Sequence, residues 1–149
     1  MESSIKKKIE FYCAYQERCH NDVSNKLNKL GVFGDEVDEY ICYLIDENYL
    51  SETRYSEAFV RGKYNNNNWG RIKIIMELKS KNISEWNINN ALKQITEEDY
   101  ENKLYKICEK QILYVDYSQY EVKNKIVRHL TQKGWEMDLI IKCLNRLIK

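Results

Sequence analysis

Seven basic side chains crowd the middle of this sequence: Arg54, Arg61, Lys63, Arg71, Lys73, Lys79 and Lys81. Between positions 54 and 81 they meet only two acids, Glu57 and Glu77. Guanidinium and ammonium groups at that density attract phosphate or carboxylate, so the chemistry on offer is recognition of a nucleic-acid backbone or of an acidic protein surface. A solvated helix face has the same composition. The cluster stands out because the chain as a whole carries a net charge of only +1. Residues 1–50 hold six Lys/Arg against ten Asp/Glu, residues 51–95 eight against four, and residues 96–149 ten against nine. A near-neutral total argues against tight, non-specific binding of bare DNA as the main task.

Other chemistry finds little support. There is no glycine-rich phosphate loop, no nucleophile elbow and no paired-metal motif. The acidic clusters Asp35, Glu36, Asp38, Glu39 and Glu97, Glu98, Asp99, Glu101 read as first-turn acids that complement a helix dipole, not as an acid/base pair. Cys13, Cys19, Cys42, Cys108 and Cys143 contain no C-x-x-C spacing and read as reduced, small packing residues. Cys19-His20 is too isolated to be half of a zinc site, and His129, beside Leu130, reads as a helix-surface or boundary residue. Tyr12, Tyr40 and Tyr55 fall on apolar stripes and read as buried rings. The expectation is a protein that is not an enzyme and uses no cofactor or metal. With no apolar run long enough for a membrane span and no leader-like start, it is expected in the cytoplasm.

The elements that position the basic cluster follow from an apolar pattern stated three times. The anchors Val32, Ile83 and Trp135 lie 51 and 52 residues apart. Each has an apolar residue nine and five positions earlier (Val23 and Leu27; Ile74 and Leu78; Ile126 and Leu130). Each is followed by apolar residues at +5, +9 and +12: Val37, Ile41 and Leu44; Ile88, Leu92 and Ile95; Ile140, Leu144 and Leu147. Positions −9 and −5 share one helical stripe, and +5, +9 and +12 share another. The phase breaks at Gly31, Asn82 and Gly134, residue types that tolerate a left-handed backbone just past a helix end. Each unit is therefore helix, tight turn, helix, preceded by a longer helix at about 4–18, 52–65 or 97–113.

Nine helices in three groups of three give an all-α protein of three tandem helix-turn-helix-like repeats: 1–50, 51–95 and 96–149. The absence of proline fits this reading. So do the N-cap candidates Ser51, Ser84, Thr96 and Asp116. A 50-residue unit is marginal alone, so the repeats are expected to support one another in an elongated, curved array.

The stretch from Asn48 to Ile83, N-Y-L-S-E-T-R-Y-S-E-A-F-V-R-G-K-Y-N-N-N-N-W-G-R-I-K-I-I-M-E-L-K-S-K-N-I, resembles the central region of the RecX family of bacterial recombination regulators. Arg18, Val23, Lys26-Leu27 and Leu30-Gly31-Val32 are similar to that family's first unit, and Val127, Leu130, Lys133-Gly134-Trp135 and Ile140 to its third. Departures are Ser51-Glu52 for an Asp-Asp pair, Tyr55 for Phe, Ser56 for Ala, Asn82 for Gly, and the run Asn65–Asn68 for a more basic linker.

The resemblance implies a monomeric regulator that binds in the groove of the filament formed by the recombinase RecA on single-stranded DNA, and there suppresses strand exchange, ATP hydrolysis and co-protease activity. Weak direct DNA contact is a further implication. On this reading the seven basic residues include the groove-facing contacts, with Arg54 alternatively pairing with Glu52 or Glu57. Two rival readings are a helix-turn-helix-like DNA-binding protein and a helical adaptor for another protein. For the first rival, the last helix of unit one (Asp35-Glu36-Val37-Asp38-Glu39-Tyr40) is too acidic to enter a groove, whereas Trp86-Asn87-Ile88-Asn89-Asn90 has base-reading residue types.

Overall fold

The computed structural model describes residues 1–113 and 119–148. Among the described residues there are nine helices and no strand. They are α1 (Ser3–Tyr15), α2 (His20–Lys29), α3 (Asp35–Asp46), α4 (Glu52–Asn67), α5 (Arg71–Ser80), α6 (Glu85–Leu92), α7 (Glu97–Leu113), α8 (Gln119–Gln132) and α9 (Met137–Leu147). The all-α expectation holds.

The three turns predicted at Gly31, Asn82 and Gly134 have one geometry. Their φ values are 88°, 60° and 94°. In each, the amide of the anchor donates to the carbonyl five residues back: Val32 to Leu27 at 2.9 Å, Ile83 to Leu78 at 3.1 Å, Trp135 to Leu130 at 3.0 Å. The amide just before it donates three residues back, from Gly31 to Asn28, Asn82 to Lys79 and Gly134 to Thr131. This is the Schellman arrangement, which satisfies the orphan carbonyls of a helix end while reversing the chain. Positive φ at the pivot explains why Gly or Asn stands there.

Those turns bring the apolar positions together. Residues at −9, −5, 0 and +5 are buried in all three copies, from Val23, Leu27, Val32 and Val37 to Ile126, Leu130, Trp135 and Ile140. Each such side chain contributes roughly 1.5–3 kcal/mol by leaving water. The second helical stripe runs partly through +8, where Tyr40 and Ala91 are fully buried and Cys143 nearly so. Ile41 and Leu92, at +9, are only half-buried.

Three predicted N-caps close on the third residue of their helices: Ser51 Oγ accepts from the Arg54 amide, Ser84 Oγ from Asn87 and Thr96 Oγ1 from Asp99. Asp116 lies outside the described residues. Ser56, where the family pattern has Ala, is fully buried but returns its hydroxyl to the Glu52 carbonyl at 2.7 Å, so no polar group is stranded. Cys13, Cys19, Cys108 and Cys143 are buried free thiols, while Cys42 is exposed. Tyr40 and Tyr55 are buried as predicted; Tyr12 is half-buried, and His129 is exposed on α8.

Packing divides the chain into two compact units, Met1–Phe59 with Leu78–Ala91, and Val60–Glu77 with Leu92–Lys149. In the first, α1 packs on α2 and α2 on α3 around Ile9, Val23, Leu27, Tyr40 and Leu44. In the second, α7 packs on α8 and α9, with Tyr100, Leu104, Trp135 and Ile140 fully buried. No helix among the described residues is long and apolar enough to cross a membrane.

Candidate nucleic-acid and protein interface

The seven basic residues fall in different places. Arg54, Lys79 and Lys81 belong to the first compact unit; Arg61, Lys63, Arg71 and Lys73 belong to the second. Two of the arginines have their donors engaged inside the protein.

Arg54 sits one turn into α4. Its Nε donates to Glu17 at 2.8 Å, its Nη1 to Asn48 Oδ1 at 2.7 Å and its Nη2 to the Asn48 carbonyl at 3.0 Å. It therefore pairs with Glu17, not with Glu52 or Glu57. Asn48 holds a φ of 63° just past the end of α3, and the Arg54 fork ties that turn to the α1–α2 loop.

Arg71 opens α5. Nη2 reaches Glu136 at 2.7 Å, Nη1 reaches Glu97 at 2.5 Å, and the guanidinium carbon lies 3.9 Å from the centroid of the Tyr100 ring. The Tyr100 hydroxyl accepts from the Arg71 amide at 2.9 Å and donates to Glu136 at 2.5 Å. Burial by itself would lower the Arg71 pKa; hydrogen bonds to Glu97 and Glu136 more than reverse this and raise it. Burial, then the bond to Glu136, raises the Tyr100 phenol. The result is a charged, saturated knot within the second unit.

The same unit docks the α4–α5 joint on the third Schellman turn. Gly70 N–H donates to the Lys133 carbonyl at 2.8 Å and Ile72 N–H to the Gly134 carbonyl at 3.0 Å. The Trp135 indole N–H donates to the Asn68 carbonyl at 2.9 Å, and Lys133 Nζ to the Asn67 carbonyl at 3.2 Å. Trp135 stacks on Tyr100 with centroids 4.5 Å apart. The asparagine run is thus a structural connector, with Asn68 at a φ of 58° ending α4. Nothing in the sequence around it signals this, because the partners lie 66 and 67 residues away.

At the docked joint, two of the seven basic residues meet an aromatic ring. Lys63 Nζ and Lys73 Nζ both lie over the half-buried Trp69 ring, 4.8 Å and 4.3 Å from its centroid. Two ammonium groups flanking an indole combine phosphate attraction with an aromatic face. Arg61 is exposed and donates to Gln94 at 3.0 Å. Lys79 is exposed near the end of α5 and Lys81 is half-buried in the turn after it. Lys63 and Lys73 are the two predicted residues that the fold brings to one feature; Trp69 is the member that sequence reasoning missed, although it stands between them in the chain. Among the described residues no group of three or more His, Cys, Asp or Glu is placed to hold a metal ion.

With this geometry in hand, comparison with known proteins is decisive. Residues 51–92 match the family model of the second three-helix domain of RecX, and residues 97–144 match that of the third. This chain belongs to the RecX family. Regulatory protein RecX of Bacillus mycoides (strain KBAB4) is 29% identical over 137 residues, covering 91% of this chain and 51% of that protein. Regulatory protein RecX of Bacillus cereus (strain B4264) is 28% identical over the same length and shares. The chain therefore spans about half the length of these RecX relatives, which are named as regulatory proteins. The crystal structure of RecX from Lactobacillus salivarius has a TM-score of 0.81 at 28% identity, covering 97% of this chain and 95% of that one. A second RecX crystal structure has the same TM-score at 23% identity, covering 94% and 73%, and supports the fold.

Proposed function

We propose that this protein regulates the RecA recombinase by binding the RecA–single-stranded-DNA filament, and that it lowers strand exchange, ATP hydrolysis and co-protease activity in DNA repair and the SOS response. It acts without catalysis of its own, as a cytoplasmic monomer, with 1–50, 51–95 and 96–149 as its three functional modules. RecX membership motivates the reading, and the observation that carries it to residues is the pair Lys63 and Lys73 over Trp69. A filament groove offers phosphate, bases and acidic protein side chains together, and a cation-flanked indole suits such a mixed lining. Arg61 adds to the positive charge of the second unit, and Lys79 and Lys81 add positive charge to the first, which steers association. Arg71 contributes by fixing the start of α5, which carries Lys73, and Arg54 by tying the turn after α3 to the α1–α2 loop within the first unit.

The test is single-stranded-DNA-dependent ATP hydrolysis by the cognate RecA, titrated with this protein below one copy per protomer. Progressive inhibition, weakened at least tenfold by the double variant Lys63→Glu, Lys73→Glu, is the expected result. No inhibition by folded wild-type protein at one copy per protomer overturns the reading.

A further inference from the structure

The first fifty residues carry a net charge of −4, yet they form a second basic-aromatic surface. A groove of about 460 Å³ runs between α1 and α2 within the first compact unit. Lys7, Phe11 and Tyr15 line it from α1 at four-residue spacing, which puts them on one stripe of the helix. Lys8 and Tyr12 form the neighbouring stripe, and Arg18 and Lys26 close the far side. Four cations and three rings line the groove; no acid does.

The acids nearest it in sequence have hydrogen-bond partners outside its lining, and of these Asp22 is the one whose charge reaches a lining residue, Tyr12. Glu10 accepts from the Tyr43 hydroxyl at 2.5 Å, Glu17 from Arg54 at 2.8 Å, and Asp22 from the Cys19 amide at 3.2 Å. The other acids of these fifty residues are Glu2 and, on or just after α3, Asp35, Glu36, Asp38, Glu39, Asp46 and Glu47. Total charge is therefore a poor guide here, because the opposite signs are segregated along the chain.

Phe11 and Tyr15 are 71% and 74% exposed, so neither serves the core. Their ring centroids are 6.3 Å apart and tilted by 34°. Beside them the Tyr12 ring is covered by the Arg18 guanidinium at 3.7 Å and approached by Lys26 Nζ at 5.6 Å. Arg18 is fixed there by a 3.0 Å bond from Nε to the Tyr12 carbonyl. Cations thus border the ring surface, with Lys7 and Lys8 one turn before Phe11 and Tyr12, and Arg18 and Lys26 over Tyr12. A single strand of nucleic acid offers both matching groups, a phosphate and a π-face at every residue, and base-on-aromatic stacking is tolerant of sequence. An acidic peptide would neutralise the cations but would use the two exposed rings only where an apolar or aromatic side chain falls against them, whereas a nucleic-acid strand brings a π-face with every phosphate. Duplex DNA would satisfy the cations but keep its bases out of reach.

We propose that the α1–α2 groove is a binding site for single-stranded nucleic acid, with Lys7, Lys8, Lys26 and Arg18 meeting phosphates and Phe11 and Tyr15 stacking on bases. The site is independent of the recombinase reading and is tested without any recombinase. Binding of a short fluorescein-labelled oligothymidylate is followed by anisotropy, in a Lys63→Ala, Lys73→Ala background that removes the contribution of the second unit. Phe11→Ala and Tyr15→Ala should each weaken binding about tenfold, and Lys7→Ala with Lys8→Ala should lower the salt slope by about 1.4, at about 0.7 for each single-strand phosphate contact. Lys106→Ala, an exposed lysine on α7, should do neither beyond a single charge's screening. The truncated side chains are largely in solvent, and circular dichroism confirms that the variants fold. Photo-crosslinking of a 5-iodouracil-containing strand should mark Phe11 or Tyr15. Unchanged affinity in the ring variants, or crosslinks confined to other residues, overturns the proposal. So does a labelled glutamate–tryptophan peptide that depends on Phe11 and Tyr15 while the oligothymidylate does not, an outcome that would assign the groove to an acidic protein segment.

Discussion

Gly70 lies against Gly134, backbone to backbone, so closely that a methyl group on either has no room. A Cβ on Gly70 would enter the Gly134 peptide, and one on Gly134 would strike the Lys73 backbone. Gly31 occupies the equivalent turn of the first repeat at a φ of 88°, but with nothing within 4 Å of its missing Cβ. Gly31→Ala should therefore lose only the left-handed strain, about 1 kcal/mol. Gly134→Ala and Gly70→Ala should each lose roughly 3 kcal/mol or more through collision as well. Urea titrations followed by circular dichroism measure the contrast; equal effects at Gly31 and Gly134 would contradict the close docking.

Arg71 separates structure from recognition. Its guanidinium is largely enclosed, with 23% of the side chain exposed, and removal strands Glu136 beside Tyr100. Arg71→Ala should lower stability by roughly 2–3 kcal/mol, and Tyr100→Phe by about 1–2 kcal/mol. Lys63→Ala and Lys73→Ala should each cost only about 0.5–1 kcal/mol, the worth of one cation–π contact, while weakening partner binding. A charge reversal at Arg71 would consequently report unfolding as much as lost contact.

The sequence made the turns legible and the ties between distant segments illegible, for one physical reason. Helix phase and left-handed pivots are local, so Leu27, Val32 and Gly31 announce themselves within ten residues. Tyr40 and Cys143 read singly as buried or packing residues, but their common place at +8 with Ala91 does not stand out, because a ring, a methyl and a thiol share burial without sharing a residue type. For Arg54 the sequence offers a partner contact or, alternatively, a pair with Glu52 or Glu57 on its own helix, yet its partner Glu17 lies 37 residues upstream. Arg71 looked like one more exposed cation because Glu136 is 65 residues away. The α1–α2 groove was hidden by a segment-wide charge total that averages over the α3 acids.

The Arg54–Glu17 pair lends itself to a double-mutant cycle. Both side chains are partly exposed, at 39% and 29%, so solvent screening limits their coupling. Arg54→Ala combined with Glu17→Ala should give a coupling of about 0.5–1 kcal/mol. Arg54→Ala alone should cost more than this, because Asn48 loses two donors. A coupling of zero in thermal or urea unfolding would show the pair to be incidental.

Thiol chemistry gives a direct reading of burial. Only Cys42 of the five cysteines is exposed, so a disulfide-forming probe at mildly alkaline pH should modify one thiol per folded chain and all five in denaturant. Burial pushes Cys13 up to about 11 and Cys108 up to about 12, from an ordinary 9.0. Between pH 9 and 12 the unfolded chain releases protons that the folded one keeps, so stability must fall as pH rises across that window. Burial raises Tyr55 and Tyr100 in the same direction and extends the slope. Urea midpoints on either side of pH 9 test the sign, and Cys108→Ala should flatten the dependence.

The boundary at which the apolar pattern begins again is not the boundary at which the molecule comes apart. Residues 60–77 sit in the middle repeat by periodicity, yet they pack with residues 92–149. A polypeptide ending at residue 95 would contain two full periods and still lack the Lys133–Trp135 turn that receives Gly70, Asn68 and Ile72. Its α4–α5 corner would be left with donors and acceptors that have no mate. Dissection of this family into working fragments should follow the seams of packing, because inheritance by period and integrity by contact divide the same helices differently.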